Sequence, residues 1–141
     1  MRYAEKVKLA KNPNTPGDVL RIVAKDVEWI VRAWVAENPS APVDALRELA
    51  KDGKWDVRLY VAKNTNTPED ILREMAKDEC SEVRYYLAKN PKASSNLLVI
   101  LFEYEKSFRK SDNSVIKALY AHKNLPAFAK RVIETLLGEM L

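Results

Sequence analysis

Apolar positions along this chain alternate between two helical patterns separated by short polar turns. In the stretch Trp55 to Ala62 they spread widely round a helical wheel: Val57 and Val61 form one centre with Tyr60 beside them, and Trp55 and Ala62 lie well round the cylinder. A helix over 55–63 packed on two sides is the expected result. After the turn Asn64-Thr65-Asn66-Thr67, the residues Ile71, Leu72, Met75 and Ala76 cover one continuous arc, while Asp70, Arg73, Glu74 and Lys77 cover the opposite one. That predicts a second helix over 68–77 with one face in the core. The pattern returns when slid by 26 residues: Asn12, Asn38, Asn64 and Asn90 fall in one column, and Arg32, Arg58 and Arg84 in another. The chain reads as an all-α array of short helical hairpins with a 26-residue repeat.

The turn carries its own local chemistry. Asn12-Pro13-Asn14-Thr15-Pro16-Gly17-Asp18 recurs as 38–44 and 64–70. Asparagine tolerates the left-handed conformation that ends a helix, and a proline just beyond forbids continuation. Thr15 and Thr67 are expected to cap the next helix through their hydroxyls, with Pro16, Pro42 and Pro68 at the first helical position and Asp18, Asp44 and Asp70 completing a capping-box-like pattern. Ala41 replaces the threonine in the second copy and should weaken that helix start by about 1 kcal/mol. On the solvent face, Asp70 with Arg73 and Glu74 with Lys77 are spaced for (i, i+3) ion pairs.

The ends depart from the pattern. A first helix over 3–11 carries Glu5 and Lys8 where later copies have Val31 and Trp34, the polar substitution that a terminal repeat requires. After Asn90 the second proline is missing, a longer helix follows over 97–106, residues 107–114 read as an inserted loop, 115–123 echoes the first helix of the unit, and Pro126 opens a last helix through Leu137. We read residues 1–141 as a single α-solenoid domain, with 1–12 an N-terminal cap half-repeat, 13–93 the regular repeats, and 94–141 a divergent repeat with a C-terminal cap.

Composition adds limits. With 47% hydrophobic and 31% charged residues the chain fits a folded soluble protein. Its 24 basic and 20 acidic residues give a net charge of +4, a milder excess than a dedicated nucleic-acid binder carries. Cys80 is the only cysteine, so no disulfide or cysteine-bound cluster forms within one chain, and a reducing, cytoplasmic setting is expected. No signal-peptide pattern or membrane-length apolar run is present. The apolar C-terminus suits either a core cap, in a monomer, or a homodimer contact.

The columns Asp26, Trp29, Val31 and Arg32, repeated as Asp52, Trp55, Val57 and Arg58 and as Asp78, Val83 and Arg84, resemble the turn-and-helix signature of HEAT-like repeats. The unit Val57-Arg58-x-x-Val61-Ala62-x-Asn64-x-x-x-Pro68-x-x-x-Leu72-x-x-Met75-Ala76-x-Asp78 resembles the leucine-rich repeat variant family more closely, over about residues 5–101. The resemblance implies a right-handed superhelix of short alternating helices, the second element partly 3₁₀, and no catalytic motif. The family's founding type carries a cysteine-bound iron-sulfur module, for which this chain lacks the cysteines, so neither that cofactor nor a redox role transfers.

Candidate functional residues follow from the columns. Lys6, Arg32, Arg58 and Arg84 form either a stripe presented to phosphate or an acidic partner, or a structural ladder in which each cation bridges to an aspartate of its own or the next turn; the ladder is the preferred reading. Trp34, Tyr60 and Tyr86 form an aromatic column that is either inter-repeat core, the preferred reading, or the lining of a groove for a peptide or for stacked bases. Trp29 and Trp55, at the loop edge, are second candidates for a contact surface. His122 reads as a solvated helix-terminal histidine. Carboxylates recur with the repeat, whereas catalytic residues should appear once, so no catalytic, metal or cofactor residues are expected. The leading expectation is a non-enzymatic scaffold for a protein or peptide partner. The alternative is DNA binding along stacked columns including Arg21, Arg47 and Arg73, as in HEAT-like DNA-repair proteins; a glycosylase of that kind is the remotest reading.

Overall fold

A computed structural model of the chain describes residues 1–107 and 113–140. Ten helices and no strand lie among the described residues: α1 (Tyr3–Lys11), α2 (Gly17–Val23), α3 (Trp29–Glu37), α4 (Val43–Leu49), α5 (Trp55–Lys63), α6 (Glu69–Glu74), α7 (Ser81–Lys89), α8 (Ser95–Lys106), α9 (Ser114–Ala121) and α10 (Ala127–Met140). The odd-numbered helices stack in chain order, α1 on α3, α3 on α5, α5 on α7 and α7 on α9. The even-numbered helices pack against this row, and α6 also meets α8. Five layers of helical hairpins result, the solenoid arrangement. Of the expected loop 107–114, residues 108–112 lie outside the described residues.

One hydrophobic cluster runs through all the layers. From the odd helices it takes Val31 and Val35, Val57 and Val61, Val83 and Leu87, and Leu119; from the even ones Leu20, Leu46, Leu72, Leu98 and Leu101. The two-sided wheel of the odd helices is thereby explained, since α3, α5 and α7 each touch an odd helix before and after them as well as an even helix. The helix α10 buries Ala129 and Ile133 and leaves Phe128 and Val132 exposed, so its apolar face caps the stack.

The helices α2, α4 and α6 are shorter than the expected span of 68–77. The helix α6 ends at Glu74, and the chain then tightens into i→i−3 hydrogen bonds, from the Ala76 N–H to the Arg73 carbonyl and from the Asp78 N–H to the Met75 carbonyl. Bonds of the same kind close α2, from Lys25 to Ile22 and from Asp26 to Val23, and α4, from Lys51 to Glu48 and from Asp52 to Leu49. Each layer therefore delivers its aspartate at the same place.

The turn works differently from its sequence reading. No described non-glycine residue has positive φ; Asn12, Asn38, Asn64 and Asn90 end their helices in extended backbone, φ −66 to −75°. The prolines stand one position earlier than expected, as the N-cap residues whose carbonyls accept the first helical bonds. Thr15 and Thr67 do not cap the following helix. Their hydroxyls donate backward, to the carbonyls of Leu9 (2.7 Å) and Val61 (2.8 Å) in the helix just completed. The aspartates form no capping box either, because Asp44 and Asp70 reach back to Arg21 and Arg47 of the preceding layer. Asp70 is thus engaged across layers instead of with Arg73 on its own helix. Where the proline is missing, Ser94 caps α8 with its hydroxyl, which accepts from the Leu97 N–H.

Candidate functional site

Two polar ladders join the layers. In the first, each cation of an odd helix reaches the acid at the end of its own hairpin. Lys6 meets Asp26 at 2.7 Å, Arg32 meets Asp52 at 2.7 Å, Arg58 meets Asp78 at 2.8 Å and Arg84 meets Glu105 at 2.9 Å. Each arginine pair is bidentate, through Nε and a terminal nitrogen. The remaining nitrogen of Arg32, Arg58 and Arg84 donates to a main-chain carbonyl of its own turn, that of Asp26, Asp52 and Asp78 respectively. The carboxylates of Asp26, Asp52 and Asp78 in turn accept the N–H two residues on, which fixes the start of the next helix. Only a planar fork with donors on several sides joins both partners, which is why arginine recurs here.

Electrostatics follow this geometry. The Lys6 ammonium and the Glu28 N–H hold the Asp26 carboxyl below the usual carboxylate range. Burial pushes Asp52 up, but the hydrogen bonds from Arg32 and the Lys54 N–H outweigh it, and the net shift is downward. The carboxylates beside Arg32 and Arg58 raise both guanidinium pKa values further.

The second ladder is built from asparagine. The Asn38 Nδ2 donates to the carbonyls of Ala10 and Asn12, Asn64 to those of Ala36 and Asn38, and Asn90 to those of Ala62 and Asn64. Each Oδ1 accepts the N–H two residues on, at Ser40, Asn66 and Lys92. Both ends of the amide are satisfied in one orientation only, so the network assigns it. The alanine preceding each rung is small because the next layer's amide must reach its carbonyl.

His122 occupies the same rung in the last layer. It is buried (8% exposed), and therefore not the solvated terminal residue expected from sequence. Its Nε2 lies 2.7 Å from the Asn90 carbonyl, and its Nδ1 accepts the Asn124 N–H at 3.0 Å. This is the neutral tautomer with the proton on Nε2. Sequence reasoning missed the asparagine ladder, and Glu105 with it. The visible signals were the strict asparagine column and an acid 20 or 21 residues after each cation.

With Arg32, Arg58 and Arg84 turned inward, the aromatic column remains at the surface. Trp34, Tyr60 and Tyr86 are half-buried, each with one side on the core, so neither a purely internal nor a freely exposed column describes them. Lysines lie over the rings: Lys11 is 4.4 Å from the Trp34 centroid, and Lys63 is 5.5 Å from Tyr60 and 5.0 Å from Tyr86. Tyr86 also meets Tyr85 edge to face at 5.2 Å. At the opposite ends of the odd helices, Trp55 is 43% exposed and Trp29 half-buried.

The column Arg21, Arg47 and Arg73 is not a continuous positive stripe. Asp44 sits 2.9 Å from Arg21 and Asp70 3.0 Å from Arg47, all four largely exposed. Among the described residues no group of three His, Cys, Asp or Glu side chains converges to hold a metal ion, and no helix is long and apolar enough to cross a membrane. Cys80 is half-buried, its Sγ 3.0 Å from a Glu82 carboxylate oxygen; burial and that hydrogen bond raise its pKa, the opposite of what an activated thiolate needs.

Residues 29–53, which run from α3 through α4 to its closing turns, match the family model described as leucine rich repeat variant. Over that stretch the chain is similar to a leucine rich repeat variant. The match covers one layer, and the two ladders extend the same unit by geometry: the arginine bridge and asparagine rung of that repeat recur in the layer of α5 and α6 and again in that of α7 and α8. No curated protein and no solved structure matches the chain.

Proposed function

We propose that the chain is a non-enzymatic scaffold that binds an extended, acid-rich peptide segment of a protein partner across the stacked odd helices. One observation carries this reading: the recurring arginines and asparagines are engaged within the protein, whereas the recurring rings of Trp34, Tyr60 and Tyr86 stay half-exposed under Lys11 and Lys63. Rings supply contact area at low entropic cost, and the lysines select carboxylates. Packed helices stand about 8–10 Å apart and an extended chain advances about 3.3 Å per residue, so one peptide side chain in roughly three meets each layer. A single cysteine leaves the fold independent of disulfides, which suits a reducing compartment such as the cytoplasm.

The test is an array of extended peptides graded from acid-rich to basic, together with a DNA duplex titrated at two salt concentrations. Acid-rich peptides should bind, and Lys63→Glu should abolish their binding without changing the thermal melt. Steeply salt-dependent duplex binding with silent peptides would favour the nucleic-acid reading instead.

A further inference from the structure

Two notches between successive odd helices occupy equivalent places in the stack, and the last has an alanine where the first has a ring. The notch between α1 and α3, about 320 Å³, is lined by Lys11, Pro13, Trp34, Glu37, Asn38 and Pro39. The notch between α7 and α9, about 310 Å³, is lined by Lys89, Pro91, Ala118, Ala121, His122 and Lys123, with Ala88 behind. These are the same six places. The rung that His122 makes on the Asn90 carbonyl sets the register, placing Ala118 where Trp34, Tyr60 and Tyr86 stand and Ala121 where Glu37 stands. In two earlier layers the chain's own ring lies beneath the preceding layer's lysine, Trp34 under Lys11 and Tyr86 under Lys63, while Tyr60 lies under Lys63 of its own helix. In the last layer Lys89 has no such ring from α9, and the nearest aromatic face is Tyr85 of its own helix at 6.0 Å. The acid is gone too, so the lining holds two lysines and no carboxylate.

We propose that this notch takes an aromatic side chain of an acidic peptide, seated on Ala118 and Ala121 beneath Lys89, with flanking carboxylates held by Lys89 and Lys123. The protein itself sets a ring at this place beneath a lysine in two other layers, Trp34 under Lys11 and Tyr86 under Lys63; charge complementarity selects an acidic partner over a basic one. The inference rests on the peptide-binding reading and adds the residue that anchors the peptide at one end.

The test is a 15N NMR titration of the full chain with three blocked tripeptides, Glu-Trp-Glu, Lys-Trp-Lys and Glu-Ala-Glu. Glu-Trp-Glu should shift the amides of Ala118, Ala121 and Lys123 saturably, and the other two should bind about tenfold or more weakly. Ala118→Tyr supplies the missing ring from within and should abolish those shifts while keeping the melt; should that variant fail to fold, Lys123→Glu should weaken Glu-Trp-Glu about tenfold. Shifts that persist in Ala118→Tyr, or equal affinity for Lys-Trp-Lys, overturn the proposal. Shifts near Tyr60 and Tyr86 without any at Ala118 overturn the notch alone and leave the peptide face standing. Silence at both, with the acid-rich array also unbound, sinks both readings.

Discussion

Asn64 makes three hydrogen bonds with one buried amide, two to the preceding layer and one to its own turn. Asn64→Ala leaves two carbonyls and an N–H short of a partner, and should cost about 2–3 kcal/mol in urea unfolding. Asn64→Asp keeps the shape but turns an acceptor towards two carbonyls, and should cost more. An aspartate variant as stable as wild type would remove the ladder from the account. Arg58 pairs with the aspartate that closes its own hairpin and Arg47 with one of the next layer, yet the Arg58 pair is about nine-tenths buried and holds a main-chain carbonyl of the preceding turn as well, while the Arg47 pair is exposed. Arg58→Ala should lose about 3 kcal/mol, because Asp78 is left buried without its charge partner. Arg47→Ala should lose far less. The pairing was legible in sequence because arginine and aspartate travel together in the repeat. The direction of the bond, onward to the turn after its own hairpin with a carbonyl of the turn before held behind, was not, since sequence spacing carries no information on which turn lies within reach. His122 was misread for a related reason: its rung depends on a register shift of 32 residues that only the packed layers reveal.

Among the elements, α1 and α5 were readable to the residue, whereas α9, expected over 115–123, spans Ser114–Ala121. A two-sided apolar wheel and the asparagine that follows define both ends of α5. The regular even helix was overestimated in length because Met75 and Ala76 continue the apolar arc after the chain has passed into i→i−3 turns, and burial alone does not distinguish the two; α8, by contrast, is two residues longer than expected. The turn threonines show how local rules can be overridden. Thr15 and Thr67 sit where a cap is expected, but proline's carbonyl already starts the helix, and the hydroxyl serves the helix before it. Ala41 therefore forgoes a bond to the Val35 carbonyl, not a cap. Ala41→Thr should restore that bond and raise stability by about 1 kcal/mol, read as a higher urea midpoint. A neutral or destabilised variant would mean that the hydroxyl of Thr15 and Thr67 contributes nothing net.

At the scale of the whole molecule, stability in a stacked array is approximately the sum of each layer's own folding and the interface to its neighbour. The carboxylate ladder places a titratable group at those interfaces, so acid should act on coupling between layers as well as on total stability. The sign follows from the downward shifts of Asp26 and Asp52. A carboxyl whose folded pKa lies below its unfolded value near 3.9 contributes stability that is complete above that value and is lost as the pH falls through the folded one. Urea midpoints should therefore hold steady from pH 7 to about 5 and decline below it. As the interfaces weaken, the layers should cease to unfold together, and the transition should broaden into more than one step. Asp52→Asn removes one titrating interface; it should start lower at neutral pH and lose less on acidification than the parent. An acid dependence unchanged in Asp52→Asn would place the titrating groups elsewhere and leave the ladder a matter of geometry alone.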